Sequence, residues 1–174
     1  MHYWPNCNIN NFSIIGNSET RFLKDKPPTF DFSIKDYSVE HTPIESSTGG
    51  ALLYISNCYS YLPRNDLSSS LYQSKYLESV FVELVFTKKT NIIVGTIYKH
   101  PDMSIDEFNL VYLSPFLQNV CRENKTLYLL ADFNINLIKA SENPTFSNLL
   151  DLLGLYLLFL SSSFLKSFYP PGSL

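Results

Sequence analysis

Apolar positions along this chain cluster in short dense runs, separated by polar stretches rich in Pro, Gly, Asn and Ser, which is how strands and their connections read. Phe12-Ser13-Ile14-Ile15-Gly16 predicts a short buried strand that runs into Asn17-Ser18-Glu19-Thr20. Ala51-Leu52-Leu53-Tyr54-Ile55 predicts another, directly after Gly49-Gly50. Residues 77–86 and 91–98 are β-branched and aromatic, and the link Thr87-Lys88-Lys89-Thr90 between them predicts an antiparallel hairpin with both lysines at a solvated tip. Leu127-Tyr128-Leu129-Leu130-Ala131 is a continuous apolar run of the kind found in a central strand, and it stops abruptly at Asp132-Phe133-Asn134.

The segments between these runs are of three kinds. Residues 1–11 read as irregular, residues 24–48 as a surface excursion marked by Pro27, Pro28 and Pro43, and residues 57–75 as loop. Ser104 and Glu107 form a capping box for a helix with Ile105, Phe108, Val111, Tyr112 and Phe116 on its buried face. Pro115 should kink or split that helix, with Ser114 as a fresh cap. Asn143-Pro144 predicts a second helix burying Phe146, Leu149, Leu150 and Leu153. The apolar run 149–165 is interrupted by Asp151 and three serines, so it reads as a buried helix passing into a strand rather than as a membrane span. Strands and helices in mixed order, with a hairpin, predict a layered α/β sandwich rather than a doubly wound parallel sheet. No internal repeat is present.

Composition narrows the function classes. With 174 residues, 45% of them hydrophobic, the chain can bury a sizeable core, which excludes a disordered chain and predicts one domain over residues 12–174. A net charge of -3 supplies no global cationic field, so contact with nucleic acid would rest on a local patch or on metal ions. Cys7, Cys58 and Cys121 are odd in number and far apart, which predicts reduced thiols rather than a disulfide framework or a zinc site. No basic segment followed by an apolar run opens the chain, so no signal peptide is seen and an intracellular place, nuclear or cytoplasmic, is expected.

The candidate chemistry lies where strands end. Alternation along an extended strand points Asp132 and Asn134 to the same side. Asp and Asn also begin ordinary turns, Glu19 also reads as a solvated strand-end charge, Tyr98 as a half-buried aromatic, and His100 before Pro101 as a turn residue. If the three strand ends gather on one rim, however, they assemble the parts of a magnesium-dependent phosphodiesterase. Glu19 would offer a hard oxygen to Mg²⁺, Asp132 would orient or deprotonate a water, and Asn134 and Tyr98 would donate to phosphate oxygens.

Four motifs in order carry a resemblance: residues 14–20 through Glu19, Gly49-Gly50 with the strand at 51–55, Val94-Gly95-Thr96-Ile97-Tyr98-Lys99-His100-Pro101, and Leu130-Ala131-Asp132-Phe133-Asn134. Together they resemble the endonuclease/exonuclease/phosphatase superfamily, and within it the endonuclease domain that precedes reverse transcriptase in non-long-terminal-repeat retrotransposons. The resemblance implies a four-layer α/β sandwich with mixed, largely antiparallel sheets and Mg²⁺- or Mn²⁺-dependent cleavage of DNA. DNA would be the partner, a reverse transcriptase domain would lie in the parent protein, and no membrane would be involved. Glu19 falls on the family's metal-binding glutamate and Tyr98 on its phosphate-contacting tyrosine. Asp132 and Asn134 fall on the Asp-x-Asn pair that positions the nucleophile and stabilises the transition state.

The chain also departs from that pattern. Ala131 stands where a glycine is usual before the Asp. Only eighteen residues precede Glu19, where the family has an earlier strand with an active-site asparagine; Asn8, Asn10 and Asn11 match in name only. The family's closing Asp-His pair has no counterpart, since the histidines are His2, His41 and His100. These departures imply a domain truncated at both ends and impaired in cutting, or alternatively an inactive relic or a domain that only binds.

Overall fold

A computed structural model describes residues 12–26, 28–45 and 48–135. The chain divides into two compact units, Met1–Ile135 and Asn136–Leu174, and every described residue belongs to the first. The helix expected after Asn143 and the apolar run 149–165 therefore lie outside the described residues. No helix among the described residues is long and apolar enough to cross a membrane.

The described residues form a mixed α/β sandwich of two sheets. One has β1 (Ile14–Ser18), β3 (Ala51–Ser56) and β2 (Tyr37–Thr42) in the order β1-β3-β2, all antiparallel. The other has β4 (Ser60–Pro63), β5 (Leu77–Val85), β6 (Ile92–Lys99) and β7 (Thr126–Asp132) in sequence order. Pairing in it is antiparallel except between β6 and β7, which run parallel. The two sheets close over Ala51, Leu53 and Ile55 of β3, Val80, Val82 and Leu84 of β5, and Val94 of β6. Period-two alternation explains this core: the odd residues of β3 and the even residues of β5 and β6 share the space between the sheets.

The other face of the second sheet carries the helices. Phe81 stacks on Phe116 at a centroid distance of 4.9 Å, and it also lies across its ladder partner Gly95, where a Cβ would come within 2.0 Å of the Phe81 ring. Gly95 thus leaves the sheet surface open for an aromatic that docks α3 (Ser114–Arg122). On the outer face of the first sheet Phe32 stacks against Phe22 at 4.5 Å and edge-on to His41, and the Phe32 carbonyl accepts from Tyr54 Oη at 2.7 Å. The expected surface excursion is therefore a cover over that sheet.

Several expectations need correction. The excursion contains β2, and residues 57–75 contain β4 and the short helix α1 (Asn65–Ser70). Both strands are short and largely polar, and neither has a buried residue, so they carry no apolar run for a pattern to find. Ser104 does cap a helix, its Oγ accepting from the Glu107 N–H at 3.1 Å. That helix, α2 (Ile105–Glu107), continues through a π-helical turn at Phe108–Leu113 into α3. The wider turn changes the register, which leaves Val111 59% exposed rather than buried, and Pro115 sits in the first turn of α3, where the helix passes from π to α. Ser114 is no cap; its Oγ bonds Asn109 Oδ1. The run 126–132 forms β7, which pairs with β6 among the described residues, and Tyr128 on it is 46% exposed. Cys58, read as a reduced thiol, is disulfide-bonded; the spacing of three cysteines could not reveal that pairing.

Candidate active site

The fold brings the four sequence-predicted site residues to one rim. Because β6 and β7 are parallel, their C-terminal ends lie side by side, and Tyr98 is the ladder partner of Asp132. Glu19 follows the last residue of β1 directly. Gly16 lets β1 approach β7, since a Cβ there would stand 2.6 Å from Leu130 Cδ1.

Tyr98 is 2% exposed, and its Oη donates to Glu19 Oε1 at 3.1 Å. Burial pushes the phenol up to about 12, helped by the Glu19 carboxylate it bonds and by the charges of Asp132 and Glu78. The hydroxyl therefore keeps its proton at any neutral pH and acts as a donor. The Glu19 side chain is 45% exposed, and its Oε2 lies 3.7 Å from the Arg21 guanidinium, which is itself largely in solvent and so screens little.

Asp132 Oδ1 accepts from the Asn134 N–H at 3.0 Å, closing a tight turn in which Asn134 has φ 49°. Asn tolerates that left-handed conformation better than most residues. The turn, not extended alternation, therefore places Asn134, and its Nδ2 donates to the Lys99 carbonyl at 2.8 Å. Both readings of the pair apply: it begins a turn, and it stands beside Tyr98. One N–H of the carboxamide is committed to Lys99, which fixes its plane and leaves the second N–H for a ligand.

Two neighbours stiffen this rim. Lys99 is 1% exposed, and its Nζ donates to the carbonyls of His100 at 3.0 Å and Met103 at 2.9 Å. Burial holds its ammonium below the usual lysine range, opposed by the charges of Asp102 and Asp132. His100 occupies a turn, as its place before Pro101 predicts, and its ring lies edge-on to Tyr76 at 6.2 Å and to Tyr98 at 6.4 Å. Its Nδ1 accepts from the Asp102 N–H at 3.3 Å.

The pattern of the sequence missed one residue, Glu78. It is the ladder partner of Tyr98 on β5 and is 1% exposed. Burial pushes its carboxyl up to about 7, opposed by a hydrogen bond from the Gly50 backbone. The signal that would have found it is a carboxylate inside a dense apolar run, which it shares with Glu83; the cost of burying charge there demands a reason. A raised carboxyl stabilises the fold fully below its unfolded value of 4.5, and that contribution is lost as pH rises through about 7. At roughly 1.4 kcal/mol per unit the complete loss is on the order of 3 kcal/mol. Urea denaturation at pH 5 and pH 8 should show wild-type stability falling between the two relative to Glu78→Gln, which has no proton to lose. Parallel behaviour of the two proteins would refute the burial of charge at this position.

Among the described residues no group of three His, Cys, Asp or Glu side chains gathers as a metal cage. The donor chemistry present is a half-exposed carboxylate, Glu19, on the rim with Asp132. It fits Mg²⁺, which binds through one or two carboxylates and keeps its waters, better than an ion needing a closed cage.

No family model and no curated protein matches the chain. Two solved structures are similar to parts of it. The human nocturnin catalytic domain with bound sulfate is 16% identical with a TM-score of 0.49, over 71% of this chain and 52% of that one. The APE2 catalytic domain of Xenopus laevis is 14% identical with a TM-score of 0.47, over 79% of this chain and 59% of that one. The chain thus spans little more than half the length of either.

Proposed function

We propose that this chain is a Mg²⁺-dependent endonuclease domain that cleaves phosphodiester bonds in DNA, derived from a retrotransposon protein in which a reverse transcriptase domain follows. One observation carries the reading: residues from three distant stretches, Glu19, Tyr98 and Asp132 with Asn134, meet on one rim, with Tyr98 bonded to Glu19 and paired with Asp132. The ordered motifs around these residues support the retrotransposon origin.

The chain's own groups divide the work. Asp132, an acceptor at the strand end, takes up a proton from water or orients that water for attack on phosphorus. The second N–H of Asn134 and the Tyr98 hydroxyl donate to non-bridging phosphate oxygens, where negative charge grows in the transition state. Turning the Tyr98 hydroxyl from Glu19 to phosphate frees the Glu19 carboxylate for the cation. A Mg²⁺ ion held there would neutralise phosphate charge and stabilise the departing oxygen. The buried ammonium of Lys99 adds positive potential behind Asp132 and the phosphate position.

A second reading, a sandwich that binds without cutting, is favoured by the Tyr98 hydroxyl, which occupies the Glu19 carboxylate that a cation would need. The two separate in a supercoiled-plasmid assay. Nicking that appears with Mg²⁺, disappears with EDTA and returns with excess Mg²⁺ supports the endonuclease. DNA retained in a gel-shift assay with no nicking in either metal state supports binding alone.

A further inference from the structure

Glu78 has no part in the proposed chemistry, yet it occupies the best-protected position beside it. An aliphatic side chain would fill that place between apolar neighbours at less cost. Its surroundings show what the carboxylate does. Its carboxyl packs against the Gly49-Gly50 turn, with both oxygens within 3.0 Å of where a Gly49 Cβ would stand, and its Oε2 has no hydrogen-bond partner. Gly49 and Gly50 both have positive φ, 96° and 101°, and neither leaves room for a side chain. A Cβ on Gly49 would stand 2.8 Å from Glu78 Oε2, and one on Gly50 would stand 2.3 Å from Thr20 Oγ1. The glycine pair is therefore clamped between Glu78 on one side and the 19–21 segment on the other.

From the glycines the contacts lead to Glu19. The Gly49 carbonyl accepts from the Arg21 N–H at 2.9 Å. Glu19 and Arg21 both hold left-handed backbone, φ 54° and 57°, a conformation that non-glycine residues keep only when their surroundings enforce it. The carboxylate of Glu19 then meets the hydroxyl of Tyr98, and Tyr98 is the ladder partner of Glu78. The contacts form a closed ring with Glu78 at its buried end.

We propose that Glu78 is the positioning residue of this site: its carboxylate holds the Gly49-Gly50 turn, the turn holds the strained backbone at Arg21, and Glu19 is thereby kept against Tyr98. The proposal rests on the reading of Glu19 and Tyr98 as the cation and phosphate groups. It requires reach rather than charge, because what Glu78 supplies is a polar group long enough to pack against the Gly49-Gly50 backbone.

Reach and charge separate in two conservative variants. Glu78→Gln keeps the acceptor at full length and loses the charge, whereas Glu78→Asp keeps the charge and draws the acceptor back by one methylene. Amide hydrogen exchange reads the positioning whether or not the protein cuts DNA. In Glu78→Asp the amides of Arg21 and Gly50 should exchange about tenfold faster or more, while Val82 and Val94 in the hairpin stay protected and report an intact fold. Glu78→Gln should recover most of that protection. In plasmid nicking, Glu78→Asp should lower kcat by about 10²-fold, the cost of an ångström of misplacement, and raise the Mg²⁺ concentration for half-maximal rate, with KM for DNA little changed. Glu78→Gln should again recover most of the loss. Faster exchange at Arg21 in Glu78→Gln but not in Glu78→Asp would show that charge is what matters, and would overturn the proposal. Exchange unchanged in both variants would overturn it equally. If wild type itself does not nick under Mg²⁺, the endonuclease reading falls, and the exchange comparison still decides the role of Glu78.

Discussion

Asp132→Ala should reduce Mg²⁺-dependent plasmid nicking by about 10²- to 10⁴-fold, the range that a lost acid-base group usually costs. Two losses combine. The carboxylate that would take up or orient the proton of the attacking water disappears, and so does the acceptor that closes the turn on the Asn134 N–H. Without that turn the left-handed Asn134 has less to hold it, and its carboxamide can leave the Lys99 carbonyl. Asp132→Asn distinguishes the two, because a carboxamide oxygen still closes the turn but accepts a proton poorly. If basicity dominates, Asn is as damaging as Ala; if orientation dominates, Asn retains a measurable part of the rate. Neither change should unfold the protein, since Asp132 lies at the end of β7 outside the core. Thermal melts of both variants alongside the rates test that premise. Cutting unaffected by either substitution removes Asp132 from the site.

How much of this was legible in the sequence depends on how each residue earns its place. The hairpin of β5 and β6 is dictated by apolar runs too dense for any other element, and the ends of the runs at β1, β6 and β7 mark Glu19, Tyr98 and Asp132. The edge elements were not legible. In β2, Glu40 faces the gap between the sheets and is tolerated there because Tyr61 Oη donates to it at 3.0 Å, a partner twenty-one residues away. No local pattern announces a strand whose inward position is a glutamate. Glu78 escaped for the opposite reason: the apolar residues around it made the strand so plain that neither of its carboxylates, Glu78 and Glu83, stood out. Val111 is exposed because it lies inside the π turn, where the register departs from the α period, and π turns have no compositional mark. On the outer face of the first sheet Phe22, Phe32 and His41 provide the cover, an aromatic cluster drawn from an excursion that has no periodic apolar pattern.

The opposite end of the second sheet carries the largest expected effect on stability. Glu83 of β5, 6% exposed, accepts from Arg64 Nη1 at 2.8 Å, Lys125 Nζ at 2.8 Å and Asn91 Nδ2 at 2.7 Å. Arg64 also bonds Asp66 and Glu123, and Lys125 also bonds Glu123. One carboxylate thereby joins the entry to α1, the hairpin tip and the link from α3 to β7. Burial pushes Glu83 up, but the hydrogen bonds from Lys125, Asn91 and Arg64 outweigh it and hold the carboxyl below its usual range. Arg64 likewise holds Glu123 and Asp66 down. Removing one partner of such a network strands the others, so Glu83→Ala should cost about 3 kcal/mol, the lower end for a buried pair because Glu123 still neutralises Arg64 and Lys125. Urea unfolding at pH 7 measures it, and a loss below about 1 kcal/mol would class the network with ordinary surface pairs. These carboxyls are depressed, so their contribution is present above their unfolded values, 4.5 for Glu83 and Glu123 and 3.8 for Asp66, and is lost as pH falls through the lower folded ones. Glu78 works in the other direction, losing its contribution as pH rises from 4.5 through about 7. Stability should therefore peak on the acid side of neutrality, at roughly pH 5, where the network is still charged and Glu78 still largely protonated. Glu83→Ala should lower that peak and flatten its acid limb, whereas Glu78→Gln should remove the fall above it.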